Sequence, residues 1–235
     1  MTPPRPDSDT APDTGSATGA RPRLSRIQTR NREAILEAAL EVFSAQGFRG
    51  ATLDQIAEVA GLSKPNLLYY FPSKEAVHHS LLTRLLDTWL DPLEHIDPEG
   101  DPVAEILGYM RRKLDMSRDF PRESRLFANE ILQGAPRMTG AIEGDLKALV
   151  ARKAAVLTRW MDEGRLNRLD PVHLIFSVWA LTQHYADFEV QVRAVLGPGQ
   201  DPYEGAARFL DILFSRLLVP DPGPGPASPP PAAGS

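Results

Sequence analysis

The chain has 235 residues, 42% of them hydrophobic, with no cysteine and a net charge of −5. That length accommodates one large or two small domains with a real core, and the missing thiols exclude disulfides, cysteine-ligated zinc and thiol catalysis, as suits a reducing cytoplasm. No apolar run approaches the about 18–20 residues that cross a bilayer, and the polar, proline-rich N-terminus is unlike a signal sequence, so a soluble intracellular protein is expected.

Residues 1–22 are rich in Pro, Thr, Ser, Asp and Gly and are expected to be disordered. Arg21, Arg23, Arg26, Arg30 and Arg32 follow with no acid among residues 21–32. The charge divides unevenly: residues 1–74 carry nine Lys+Arg against eight Asp+Glu, and residues 75–235 carry 17 against 23. A first helix is expected from near Thr29, with Ile35, Leu36, Ala39, Leu40 and Phe43 on one stripe and a stop at Gly47.

The most informative stretch is 52–75. Leu53, Ile56, Ala57 and Ala60 recur at i, i+3, i+4 and i+7, the apolar face of a short helix. Gly61 suits the left-handed position that ends it, Ser63 can cap the next helix, and Pro65 sits in a first turn, where a missing N–H costs least. Leu67 and Phe71 turn that second helix inward, leaving Lys64, Asn66, Tyr69 and Tyr70 outside. Two short helices joined by a tight turn, the second polar and aromatic on its outer face, form a helix-turn-helix that enters a major groove. Lys64, Asn66 and Tyr69 are expected near base edges. Thr52, Tyr70 and Lys74 are expected at phosphates, with Arg26 and Arg30 in a basic arm along the backbone or a minor groove.

Beyond it the pattern stays helical. One helix runs from Ser73 to about Leu90, Asp101-Pro102 and Asp170-Pro171 are cap-plus-proline starts, and Pro121 opens a helix ending at Gly134. A segment from about Thr139 to Gly164 and a last helix from Asp201 to about Leu218 follow. Residues 219–235 hold seven prolines in seventeen positions and read as a flexible tail. The expected fold is all-α: a three-helix DNA-binding domain over 23–75 and a larger helical effector-binding and dimerisation domain over 76–218.

The stretch from Pro171 to Leu196 reads as one helix with two useful arcs. Phe176, Trp179, Ala180, Gln183 and Asp187 share one, combining flat rings with an amide and a carboxylate, as a ligand cavity would. Ser177, Leu181, His184, Tyr185, Phe188 and Val192 share the other, suited to packing against a helix. With Leu210, Leu213, Phe214 and Leu217 of the last helix, this second arc is expected to form a dimer seam. The adjacent His78 and His79 point about 100° apart, His95 and His173 are isolated, and neither a metal site nor a cofactor is expected. Phosphate-loop and Gly-x-Ser-x-Gly motifs are absent, so an enzyme is not expected.

The 52–75 stretch resembles the DNA-binding domain of the TetR family of transcriptional regulators. Thr52, Ile56, Ala57, Ala60, Gly61, Ser63, Lys64, Tyr70, Phe71, Lys74 and Glu75 match its pattern, while Pro65 and Leu68 depart from it. The segments 67–76, 124–127, 134–136, 144–149 and 179–188 are similar to the pyrimidine-utilisation (Rut) branch of that family. The resemblance implies a homodimer of about nine helices per subunit. It also implies release from a semi-palindromic operator by uracil or thymine, with Trp179 and Gln183 on the ring and Phe176, Asn129 and Arg125 as further contacts. Ala128 and Asn129 stand where larger sulfur-bearing residues are expected in that branch, so a related heterocycle stays open. The alternatives are a TetR-type regulator of efflux or lipid metabolism sensing a larger apolar ligand, and a helical dimeric scaffold without specific DNA readout.

Overall fold

The computed structural model describes residues 26–220, and the expectations for residues 1–22 and for the tail beyond 220 lie outside the described residues. The described chain is a succession of helices: α1 (Arg26–Gly50), α2 (Leu53–Val59), α3 (Lys64–Tyr70), α4 (Lys74–Glu94), α5 (Pro102–Asp119) and α6 (Pro121–Leu132). Then come α7 (Thr139–Ala141), a π-helical turn (Ile142–Leu146), α8 (Lys147–Asp162), α9 (Pro171–Asp187), α10 (Glu189–Leu196) and α11 (Pro202–Leu218).

Local chemistry sets most of the boundaries. Asp101, Asp170 and Asp201 each cap a helix that opens on proline, accepting hydrogen bonds from backbone N–H groups of the first turn. These bonds hold the Asp170 carboxyl below its ordinary pKa. Gly47 breaks the regular path of α1 with φ 68° and ψ 171°, and the helical trace resumes to Gly50. α4 runs four residues past the expected end and keeps Pro92 inside it, buried. The expected single helix from Pro171 to Leu196 is two. Phe188 leaves helical geometry at φ −114° and ψ 29°, and this bend separates Val192 from the stripe to which it was assigned.

Two hydrophobic cores result. The first gathers Ile35, Leu40 and Phe43 of α1, Ile56 of α2, Leu67 of α3, and Val77, Leu81 and Leu85 of α4, and it takes in Leu126, Ala135 and Met138. It therefore does not end at residue 75. The second joins the end of α4 to α5, α8, α9 and α11 through Tyr109, Met110, Trp160, Val178 and Phe214. α4 serves both cores, and α6 packs on α1, α4 and α9.

The buried face of α9 is Leu174, Ile175, Val178, Thr182 and Ala186, which lies in neither expected arc. On α11 the inward face is Tyr203, Ala206, Leu210, Phe214 and Leu218. Leu210 and Phe214 are 1% and 0% exposed within a single protomer, so they are core and have no surface left for a partner. Val192 is also packed inward. The apolar residues of α11 that do face outward are Phe209, Ile212 and Leu213. A helix apolar on two sides satisfies the i, i+3, i+4 spacing on either, and the sequence reading mixed the two.

Candidate DNA-reading face and effector cavity

The reading helix is held by caps at each step. Thr52 and Gln55 form a capping box at the start of α2, and the Ser63 hydroxyl accepts from the Asn66 N–H at the start of α3. Leu67 is fully buried and Phe71 nearly so, which leaves Lys64, Pro65, Asn66 and Tyr69 exposed on one side. Two bonds from α1 fix the azimuth of α3: Gln28 Nε2 donates to the Tyr69 hydroxyl at 3.2 Å, and Asn31 Nδ2 to the Tyr70 hydroxyl at 3.0 Å. Each phenol keeps its own O–H to donate.

Lys64 pairs with Asp54 at 2.9 Å, but both side chains are largely exposed. Such a pair contributes about 0–1 kcal/mol and can be exchanged for a phosphate or a base edge. Arg26 and Arg30 are exposed at the start of α1, whereas Arg32 lies 4.4 Å over the Phe71 ring and donates to Ser80. Lys74 is different. Its ammonium donates to the Phe48 and Ala51 carbonyls at 2.8 Å each and sits 4.6 Å over the Phe48 ring. Lys74 therefore braces α4 against the end of α1, and its expected phosphate role gives way to a structural one.

Four of the five residues expected at the effector, Arg125, Asn129, Trp179 and Gln183, line one cavity of about 870 Å³. Helix α6 supplies the first two and α9 the others. The fifth, Phe176, does not line it; this ring is 45% exposed and leans on Trp179 with centroids 5.4 Å apart. Trp179 is oriented by its indole N–H, which donates to the Tyr109 hydroxyl at 2.5 Å. The Asn129 and Gln183 amides make no side-chain hydrogen bond among the described residues, so their donors and acceptors are available in the cavity.

Charge at this site is already balanced. The Arg125 guanidinium donates to the Ala186 carbonyl and to Glu189 at 3.0 Å, so it is less free than a ligand contact requires. Asp187, also in the lining, accepts from the Ser124 hydroxyl at 2.6 Å, and burial raises its pKa. Lys113 lies behind it, 2% exposed, donating to the Trp89 carbonyl; burial pushes its pKa down to about 7 against the opposing pull of Asp187.

Asp187 was on the expected cavity arc, but most of the other wall residues were missed by the sequence reading. Phe127 and Ile131 come from α6, Ile142 and Leu146 from the π-helical turn, and Ala135 from a loop where it takes a positive φ of 50°. The sequence reading took about Thr139 to Gly164 as one segment, whereas α7, the π-helical turn and α8 divide it. No one-dimensional period would bring that turn opposite Trp179.

Two family models match the chain in succession. Residues 35–81 match the model of bacterial regulatory proteins of the tetR family, and residues 82–221 match the C-terminal region of YcdC-like proteins. The chain is 52% identical over 175 residues to the HTH-type transcriptional regulator RutR of Escherichia coli K12, covering 74% of this chain and 82% of that one. It is 28% identical over 169 residues to the regulator TcmR of Streptomyces glaucescens, covering 69% and 67%. Among solved structures, SCO4942 of Streptomyces coelicolor superposes with a TM-score of 0.66 at 25% identity over 80% of this chain and 98% of that one. AibR in complex with isovaleryl coenzyme A and operator DNA shares the fold, at a TM-score of 0.60 and 19% identity over 81% and 99%. This chain belongs to the TetR family of helix-turn-helix transcriptional regulators.

Proposed function

We propose that the protein is a cytoplasmic, homodimeric repressor of pyrimidine utilisation, released from a semi-palindromic operator by a pyrimidine base such as uracil or thymine. The observation that carries this reading is the meeting of the Trp179 indole with the unpaired Gln183 and Asn129 amides in one cavity. A pyrimidine base is flat and neutral, with N–H donors and carbonyl acceptors around its edge. An indole face stacks on such a ring, and an amide offers one donor and one acceptor along it. The 52% identity to RutR supports the same assignment.

The head reads DNA through Lys64, Asn66 and Tyr69, with Thr52, Tyr70, Arg26 and Arg30 toward phosphates. The second protomer covers the outward apolar side of α11, at Phe209, Ile212 and Leu213, with Phe188, Leu181, Tyr185 and Leu217 alongside. Helix α6 carries the signal, since Arg125 and Asn129 lie in the cavity while the same helix packs on α1. The test is a gel-shift titration with operator DNA: uracil is expected to release the complex, and an unchanged shift at saturating uracil would reject the reading. The apolar walls and the 870 Å³ volume favour a second reading, a larger apolar effector. Release by a lipophilic polycyclic compound or a long-chain fatty acid, with none by uracil, would select it.

A further inference from the structure

The Gly-Ala-Pro segment at 134–136 belongs to a loop that neither DNA reading nor effector contact explains in full. It opens with a tight reversal after α6. The Gly134 N–H donates to the Ile131 carbonyl and the Ala135 N–H to the Glu130 carbonyl, at 2.9 Å each. Ala135 then takes φ 50°, the one positive φ outside glycine among the described residues. A residue with a side chain stays in that left-handed region only where its surroundings fix the course of the chain. Here they do: Ala135 and Met138 are 8% and 1% exposed and belong to the core of the head.

Arg137 lies in the same loop. Glu130 of α6, 4% exposed, accepts from the Arg137 backbone N–H at 3.0 Å and from its guanidinium at 2.9 Å. One buried carboxylate thus holds both ends of the residue. The guanidinium carbon rests 3.8 Å from the centre of the Phe48 ring, close enough for a cation–π contact. Phe48 to Ala51 is the link between the break at Gly47 and the Thr52 cap of α2. Lys74 grips this link from α4 by the Phe48 and Ala51 carbonyls, and Arg137 grips it from α6 by the ring.

We infer that Arg137 is a positioning residue for DNA recognition. It carries the placement of α6 to the link that leads into the helix-turn-helix, and so sets the angle of the reading head on the body. In the homodimer proposed above, on which this role rests, that angle fixes the distance between the two copies of α3. The distance in turn selects the spacing of the two half-sites. Arg137 does not line the effector cavity, and its bonds and ring contact reach no residue of α3, so it acts on spacing and leaves half-site sequence alone.

Selection of duplexes from a random pool by the full chain, without added effector, tests this in three proteins: wild type, Glu130→Gln with Arg137→Met, and Phe48→Leu. The double change leaves no unpaired buried charge, and Phe48→Leu keeps the Glu130–Arg137 pair while removing the ring. If the double variant fails to fold by circular dichroism, Phe48→Leu decides alone. Wild type is expected to recover paired half-sites at one spacing. The variants should recover the same half-site at several spacings and bind the wild-type site about tenfold more weakly, with affinity for an isolated half-site within about threefold of wild type. A protein that is merely less stable keeps its one spacing. One spacing in the folded variants, or an equal loss at the isolated half-site, would overturn the role with the dimer intact. Isolated half-sites from wild type would reject the dimer and this role together. Uracil is absent from the assay, so a failure of the pyrimidine reading leaves these comparisons unchanged.

Discussion

The reading head and the ligand-binding body are built by different kinds of contact. In the head, each element is specified by neighbours a few residues away: Thr52 with Gln55, Ser63 with Asn66, Leu67 with Phe71. In the body, the cavity joins α6 to α9 across more than fifty residues, and its orienting bonds reach as far, Ser124 to Asp187 and Tyr109 to Trp179. Local specification lets a short motif be reused as a unit, whereas a cavity assembled from distant helices can change ligand by altering single wall residues such as Ala128 and Asn129.

The largest expected effect probes the body's outer surface. Ile212→Glu places a charge where the second protomer is proposed to pack, and an unpaired buried charge costs several kcal/mol. Sedimentation should show monomers with an unchanged circular dichroism spectrum. Phe214→Glu should instead unfold the protomer, because Phe214 is fully buried within it. Folded dimers from both variants would refute this division of α11.

Lys74→Ala sharpens the head. The variant loses two charge-assisted bonds to carbonyls in a half-buried setting, so the free energy of unfolding should fall by about 1–3 kcal/mol. The slope of DNA affinity against salt should stay the same. A drop of about one unit in that slope with unchanged stability would return Lys74 to the phosphates.

A smaller effect concerns the buried amine behind the cavity. Lys113 has a folded pKa of about 7, below its ordinary 10.5, so between those values the unfolded chain binds more protons and stability rises with pH. The stability difference between wild type and Lys113→Met should shift in favour of wild type from pH 7 to 10. A flat difference would mean that the amine is not desolvated in solution.

How much was legible follows the same line. Helix starts at Asp101, Asp170 and Asp201 and the cap at Ser63 were readable because one side chain and a neighbouring N–H decide them. The bend at Phe188 was not, since no glycine or proline marks it. The true core face of α9, with Thr182 bonded back to the Val178 carbonyl, was hidden for a related reason. A helix with apolar residues all round gives no single stripe, and packing against α5 chooses the face. Lys74 looked like a phosphate ligand because its acceptors, Phe48 and Ala51, lie more than twenty residues earlier.

The central claim is that Trp179 and Gln183 hold a pyrimidine base in the body while a separate head reads DNA. Calorimetry with uracil on wild type, Gln183→Ala and Phe176→Ala tests it most directly. Losing one amide against a buried polar edge should cost about 1–3 kcal/mol, so Gln183→Ala should bind roughly ten- to a hundredfold more weakly. Phe176→Ala should change affinity by less than about threefold, since its ring lies outside the cavity, and both variants should bind operator DNA as wild type does. No heat with wild type, or equal uracil affinity in wild type and Gln183→Ala, would contradict the account.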